Sequence, residues 1–143
     1  MKKTYTLYRG GEPIKIEKEE EFFTAILPDQ KAIETLTARS GVKAMKQVYR
    51  NIYKVKTTRS TQEKLMRYVR ADLHAQTIAH HAYNPVGDKT TRYYITDKII
   101  IIFKKGTSTT KVSSIFEKHG LHFLKKYANS ENTYLVKVTK SAV

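Results

Sequence analysis

The sequence predicts an α+β fold of two tandem βαββαβ units with antiparallel sheets, the second unit incomplete and the first preceded by an extra N-terminal β-hairpin. Three observations predict it. The stretch Ile95–Thr139 reads as a strand, a capped helix and a hairpin, in that order. Residues 22–58 read the same way at an offset of about 80 residues, so the pattern is an internal repeat. A further amphipathic helix and strand follow the first copy, whereas the second stops after its third strand. The complete copy has the plan called ferredoxin-like, in which two helices cover one face of an antiparallel sheet.

Taken in order, Tyr5 and Leu7 alternate with polar residues, Arg9-Gly10-Gly11-Glu12 makes a turn, and Ile14 and Ile16 alternate again, which is a hairpin. Past the acidic run Glu17–Glu21, expected as a solvated strand end, Phe22–Leu27 reads as a buried strand. Asp29 caps a helix carrying Ile33 and Leu36 up to Gly41, and Val42, Ala44 and Val48 lead through Arg50-Asn51 into Ile52–Val55. Ser60-Thr61-Gln62-Glu63 reads as a capping box opening a helix with Leu65, Met66, Val69 and Leu73 on one face. Gln76–Tyr83 is a last strand, and the turn residues around Asn84-Pro85 open a linker.

In the second copy Ile99–Phe103 is a continuous apolar run, read as a strand buried on both faces. Lys105-Gly106 turns the chain; Ser108 or Thr109 caps a helix carrying Val112, Ile115 and Phe116; Gly120 ends it. Leu121, Phe123 and Leu124 start a strand, Asn129–Asn132 makes the turn, and Tyr134, Val136 and Val138 alternate in another. The expected organisation is therefore a first unit over 1–85, a linker over 86–91 and a truncated second unit over 92–143. Either the chain is a piece of a longer one or another element fills the gap.

With 143 residues, 40% of them hydrophobic, the chain can bury a core in each unit, and the absence of cysteine excludes disulfides and thiolate metal sites. Met1-Lys2-Lys3 is followed by no apolar segment of signal-peptide length, and no stretch is apolar enough for a membrane span, so a cytoplasmic location without membrane contact is expected. The net charge is +14, with 16 bases against 9 acids in residues 1–85 and 11 against 4 in residues 86–143, so each half carries +7. Such a surface attracts nucleic acid, anionic lipid or an acidic protein. No phosphate-binding loop, GxGxxG or paired-carboxylate arrangement is visible, so neither a cofactor nor an enzymatic activity is expected. His80 and His81 are neighbours on a strand and point to opposite faces, an arrangement that does not bind one metal ion.

Ile101–Gly106, Lys118-His119-Gly120-Leu121 and Thr133–Thr139 together resemble the N-terminal pro-region of subtilisin-like serine proteases of the fervidolysin type. That family's pattern is a strand "vivkFk.G", a helix ending "kHGL" and a strand "tYlvkvt". Asn51–Asn84 is similar to the remainder of such a pro-region, with Ile78–Asn84 departing from the family's closing "v.yaePN" at its centre. The resemblance covers most of residues 20–143 and implies a non-catalytic folding helper and inhibitor. It would bind a subtilisin-like protease through its sheet and lay an extended tail in the active-site cleft as a substrate-like strand. The tail candidates are His81, Ala82, Tyr83 and Asn84, and at the other end Ser141, Ala142 and Val143. A basic pro-region would suit an acidic protease surface. His119-Gly120 is half of a subtilase "HGT", but Leu121 follows and no nucleophile motif is present, so it reads as a helix C-terminus.

A basic nucleic-acid-binding module is the alternative, because a ferredoxin-like sheet with many Lys and Arg and 10 Tyr is also how an RNA-recognition domain presents itself. Against it, Asn51–Val55 and Thr133–Lys137 each place one aromatic where stacking would want two.

Overall fold

The computed structural model describes residues 3–73 and 77–139, which belong to two compact units, residues 1–95 and 96–143. The fold is α+β, with three α-helices and antiparallel sheets.

In the first unit, β1 (Thr4–Arg9) and β2 (Glu12–Ile26) form a hairpin, turned by Gly10 and Gly11 at φ of 59° and 87°. A two-residue turn of this kind needs positive φ at both positions. The sequence separates the hairpin strand from the buried strand, but β2 is a single strand of 15 residues. Its register against the strand Ile78–Pro85 shifts between Lys18 and Phe23, so the acidic run lies inside the strand at a bulge and not at a solvated end. Carbonyls near the bulge find other donors: the Gln62 side-chain amide donates to Glu19 O (2.9 Å) and Phe22 O (2.6 Å), and Thr57 N–H to Glu21 O (2.9 Å).

Helix α1 (Gln30–Thr37) starts where expected, with Asp29 Oδ1 accepting from Ala32 N–H at 2.8 Å. It leads to β3 (Ala44–Tyr49) and β4 (Ile52–Lys56), joined through Arg50 at a φ of 46°. Helix α2 (Arg59–Tyr68) begins two residues before the expected box. Its cap is Thr58, whose N–H donates to Thr61 Oγ1 (3.3 Å) and whose hydroxyl meets that of Thr61 (2.8 Å). A π-helical turn, Val69–Leu73, follows; β5 spans Ile78–Pro85 and β6 Tyr93–Tyr94. Gln76, the expected start of β5, lies outside the described residues.

Residues 86–91 fall within the first unit. Asp88 Oδ1 accepts from Thr90 N–H (2.7 Å), the Thr90 hydroxyl (2.6 Å) and Thr91 N–H (3.2 Å), which turns the chain toward β6 and holds the carboxyl well below the usual carboxylate range.

The strand order is β3-β4-β2-β5-β6, all pairings antiparallel, with β1 on the outer part of β2. Both helices lie on one face: Ala32 and Leu36 from α1, Leu65 and Met66 from α2, and Val69 pack on Phe23, Ala25, Val55 and Ala79 of the sheet. Phe23, Leu36, Val55, Met66 and Val69 are fully buried. Each such large side chain contributes about 1.5–3 kcal/mol relative to exposure.

The second unit comprises β7 (Lys98–Ile102), α3 (Thr109–Lys118), β8 (Leu121–Lys126) and β9 (Thr133–Val138), in the order β7-β9-β8. Ser108 caps α3, its hydroxyl accepting from Lys111 N–H. Val112, Phe116, Tyr134 and Val136 form the core, with the rings of Phe103, Phe116 and Tyr134 at mutual centroid distances of 5.7–5.9 Å. The expectation that Ile99–Phe103 is buried on both faces is corrected: β9 occupies the centre, β7 is an edge, and Ile99, Ile100 and Ile102 are 41%, 59% and 73% exposed.

The repeat is visible in the hydrogen bonding. The sub-orders β3-β4-β2 and β8-β9-β7 correspond. Leu27 N–H donates to Asn51 O at 2.9 Å, as Phe103 N–H does to Asn132 O at 2.9 Å. The Thr57 hydroxyl donates to Gly41 O (2.9 Å), as the Thr139 hydroxyl does to Gly120 O (2.6 Å), each time tying the end of the third strand to the glycine after the helix.

Candidate functional site

The first tail candidates are strand residues. His81 pairs with Phe23, Tyr83 with Lys18 and Asn84 with Glu17 along one edge of β5, while Ala82 pairs with Tyr94 and Tyr83 with Tyr93 along the other. Ala82 and Asn84 are buried. A segment that lies in a cleft by β-augmentation needs a free edge. The expected tail His81–Asn84 is here part of β5, with one edge on β2 and the other on β6 at Ala82 and Tyr83. Ser141, Ala142 and Val143 lie outside the described residues.

His81 takes part in a small polar cluster on the helix side of the sheet. Its Nε2 is 3.1 Å from Glu63 Oε1 on α2 and 3.0 Å from Lys18 Nζ at the bulge. Burial, with Lys18 adding to it and Glu63 opposing, pushes the imidazole below its ordinary value. His80 pairs with Thr24 and so turns to the other face. Tyr83 stacks edge-on with Tyr5 at 5.5 Å, and burial raises its phenol.

The most distinctive electrostatic feature lies on the sheet side away from the helices. Phe23, Ala25 and Val55 point into the helix-side core, so their alternates Phe22, Thr24, Lys54 and Lys56 point the other way, and Lys46, paired with Lys54, joins them. Lys54 Nζ sits 3.9 Å from the centroid of the Phe22 ring, Arg92 Cζ 5.4 Å and Lys56 Nζ 5.9 Å. Three cations thus share one ring, at about 0.5–1 kcal/mol per exposed cation–π contact. Burial, followed by the charge of Arg92, holds the Lys54 ammonium below its ordinary value; Glu19 opposes the effect, and Lys46 and Lys56 add to it.

Two acids of the run, Glu19 and Glu20, are held in ion pairs, and Glu19 reaches the cation cluster itself through Arg92. Glu19 pairs with Arg92 at 3.3 Å, Glu20 with Arg59 at 3.3 Å, and Glu63 with Lys18 at 3.7 Å. Among the described residues, no carboxylate comes within 4.0 Å of Lys46, Lys54 or Lys56.

Each unit also carries a concavity. A cleft of about 410 Å³ between the end of α1 and the start of α2 is lined by Arg39, Ser40, Thr61, Lys64 and Tyr68, with the Arg39 guanidinium 4.0 Å over the Tyr68 ring. In the second unit a groove of about 270 Å³ is bounded by Val112, Phe116, Phe123 and Tyr134.

No family model matches the chain, and no curated protein does.

No group of three or more metal-ligating side chains occurs among the described residues, and none of their helices is long and apolar enough to cross a membrane. The alternation that sets Phe22, Lys54 and Lys56 on one side is visible in the sequence. Arg92, which reaches Phe22 from the turn before β6, carries no such signal, because neither periodicity nor spacing brings a loop residue onto a strand.

Proposed function

We propose that this chain is a non-catalytic pro-region of a subtilisin-like serine protease, acting as its folding helper and inhibitor. The observation that carries the reading is the repeated strand–helix–strand–strand build with its matched hydrogen bonds. In the first copy it is extended by α2 and β5 into a sheet of order β3-β4-β2-β5, the order of a ferredoxin-like βαββαβ unit. In this reading the units are tandem ferredoxin-like modules, the second described as strand, helix, strand and strand. The residues that resemble the family's motifs support it by falling at the joints of the second unit: Ile101–Gly106 at the end of β7, Lys118–Leu121 between α3 and β8, and Thr133–Thr139 along β9.

The inhibitor has to hold an extended segment in the protease cleft without releasing it after cleavage, which a rigid sheet anchored outside the cleft allows. With β5 paired on both edges, Ser141, Ala142 and Val143 stand as the tail. The partner is a protease with an acidic contact surface, which a chain of net charge +14 would approach quickly.

The test is inhibition of a subtilisin-type protease by the purified chain, with mass spectrometry of the chain afterwards. Slow, tight inhibition with delayed cleavage supports the reading, and removal of 141–143 should weaken it. Rapid digestion without inhibition across several such proteases would overturn it.

A further inference from the structure

We propose that the helix-free side of the first sheet binds the phosphodiester backbone of a single-stranded nucleic acid, with Lys46, Lys54 and Lys56 contacting phosphates around Phe22. This is a second activity of the first unit and does not rest on the pro-region reading.

Among the described residues, the fold leaves positive charge on this side without carboxylate partners. Elsewhere in this unit Arg59 is met by Glu20, and Lys18 and His81 share Glu63. Lys46, Lys54 and Lys56 instead face one another across adjacent strands, Lys46 opposite Lys54, with Lys56 two residues further along β4. Residues at i and i+2 of a strand are about 7 Å apart on one face. Lys46 and Lys56 are exposed and Lys54 is half-buried, so the ammonium groups are open to an incoming anion. Crowding of like charge, already felt by Lys54, is relieved when anions arrive.

The three unpaired cations are lysines, which meet an anion as mobile point charges, whereas the one guanidinium, whose planar fork suits carboxylate and phosphate alike, already faces Glu19. A row of flexible ammonium groups on an extended sheet fits a flexible chain of repeating charges better than a folded acidic surface. The Phe22 ring lies beneath Lys54, so no bare stacking platform is offered. Binding is therefore led by the backbone and tolerant of sequence.

Fluorescence anisotropy of a labelled oligodeoxythymidine of about ten nucleotides, titrated with the full chain over a range of salt, tests this. Three phosphate contacts predict a slope of log K against log salt of about −2. Lys54→Gln and Lys56→Gln should each flatten that slope by about 0.7, while Lys64→Gln on α2, the same charge change outside the face, leaves it unchanged. Thermal unfolding of each variant confirms that it remains folded. The proposal is overturned if the chain does not bind the oligonucleotide, or if the three variants weaken binding equally, which would mean net charge alone. It is also overturned if polyglutamate of matched charge competes as well as unlabelled oligonucleotide, which would make an acidic protein surface the occupant.

Discussion

Gln62 is buried and gives both of its amide hydrogens to β2, bonding the carbonyls of Glu19 and Phe22 beside the bulge. Gln62→Leu keeps the volume and orphans both acceptors, so urea unfolding should show a loss of about 1–3 kcal/mol. An unchanged midpoint would mean that the bulge needs no such support. His81 gives the pH prediction. Its folded-state value lies below the ordinary 6.5, so the folded chain binds fewer protons than the unfolded one. The stability it contributes is complete above 6.5 and is lost as pH falls from there through the lower folded-state value. His81→Gln should flatten the fall in Tm below that point, and an identical pH profile would assign the fall to other groups. Neither role was legible in the sequence. Gln62 looked like the middle of a capping box, and His81 like half of a surface pair or a tail, because a bulge and the helix facing it bring together residues that local spacing keeps apart.

At the scale of elements, local chemistry carried most of the reading. Asp29 and Ser108 cap as expected, and Gly120 takes the positive φ, 61°, that the end of α3 requires, whereas α1 ends at Thr37, short of the expected Gly41, which at a φ of 93° serves the turn closed by Val42 N–H on Arg39 O. The misreadings have physical causes. The N-terminus of α2 offers hydroxyls at 57, 58, 60 and 61, and the choice among them is made by tertiary contact, since Thr57 is pulled to Gly41 and Thr61 toward Thr58. Thr58→Ala should therefore cost about 1 kcal/mol, whereas Ser60→Ala, at the expected cap, should stay within about 0.5 kcal/mol. Equal losses from both would return the cap to Ser60. The run Ile99–Ile102 looked doubly buried because β-branched residues without polar interruption mark strands with neighbours on both sides, yet it pairs only with β9. β6, two residues long, is below what any periodicity can signal.

For the whole molecule, composition spoke about charge and little about its arrangement. The α+β class and the repeat could be read from hydrophobic period and turn residues, whereas the candidate face could not, because it needs the register of β2 against β4 and a loop arginine laid across it. A net charge of +14 opposes compaction through self-repulsion, and the ion pairs formed by Glu19, Glu20 and Glu63 offset part of it. Raising sodium chloride from about 0.05 to 0.5 M should therefore raise the Tm, since screening removes repulsion more than it weakens these few pairs. A fall in Tm would show that the pairs dominate.

The joints shared by the two units bear on how such a chain can change. At both places a threonine hydroxyl meets the carbonyl of a glycine, and at both a backbone N–H meets the carbonyl of a turn asparagine, although the apolar residues between them differ. Parts that are matched at their fastenings can be exchanged: a splice running from Leu27 to Thr57 in one unit has its counterpart from Phe103 to Thr139 in the other. Interchangeability in this chain resides in a few seams rather than in overall likeness, and recombination at those seams would exchange cores while leaving the framework standing.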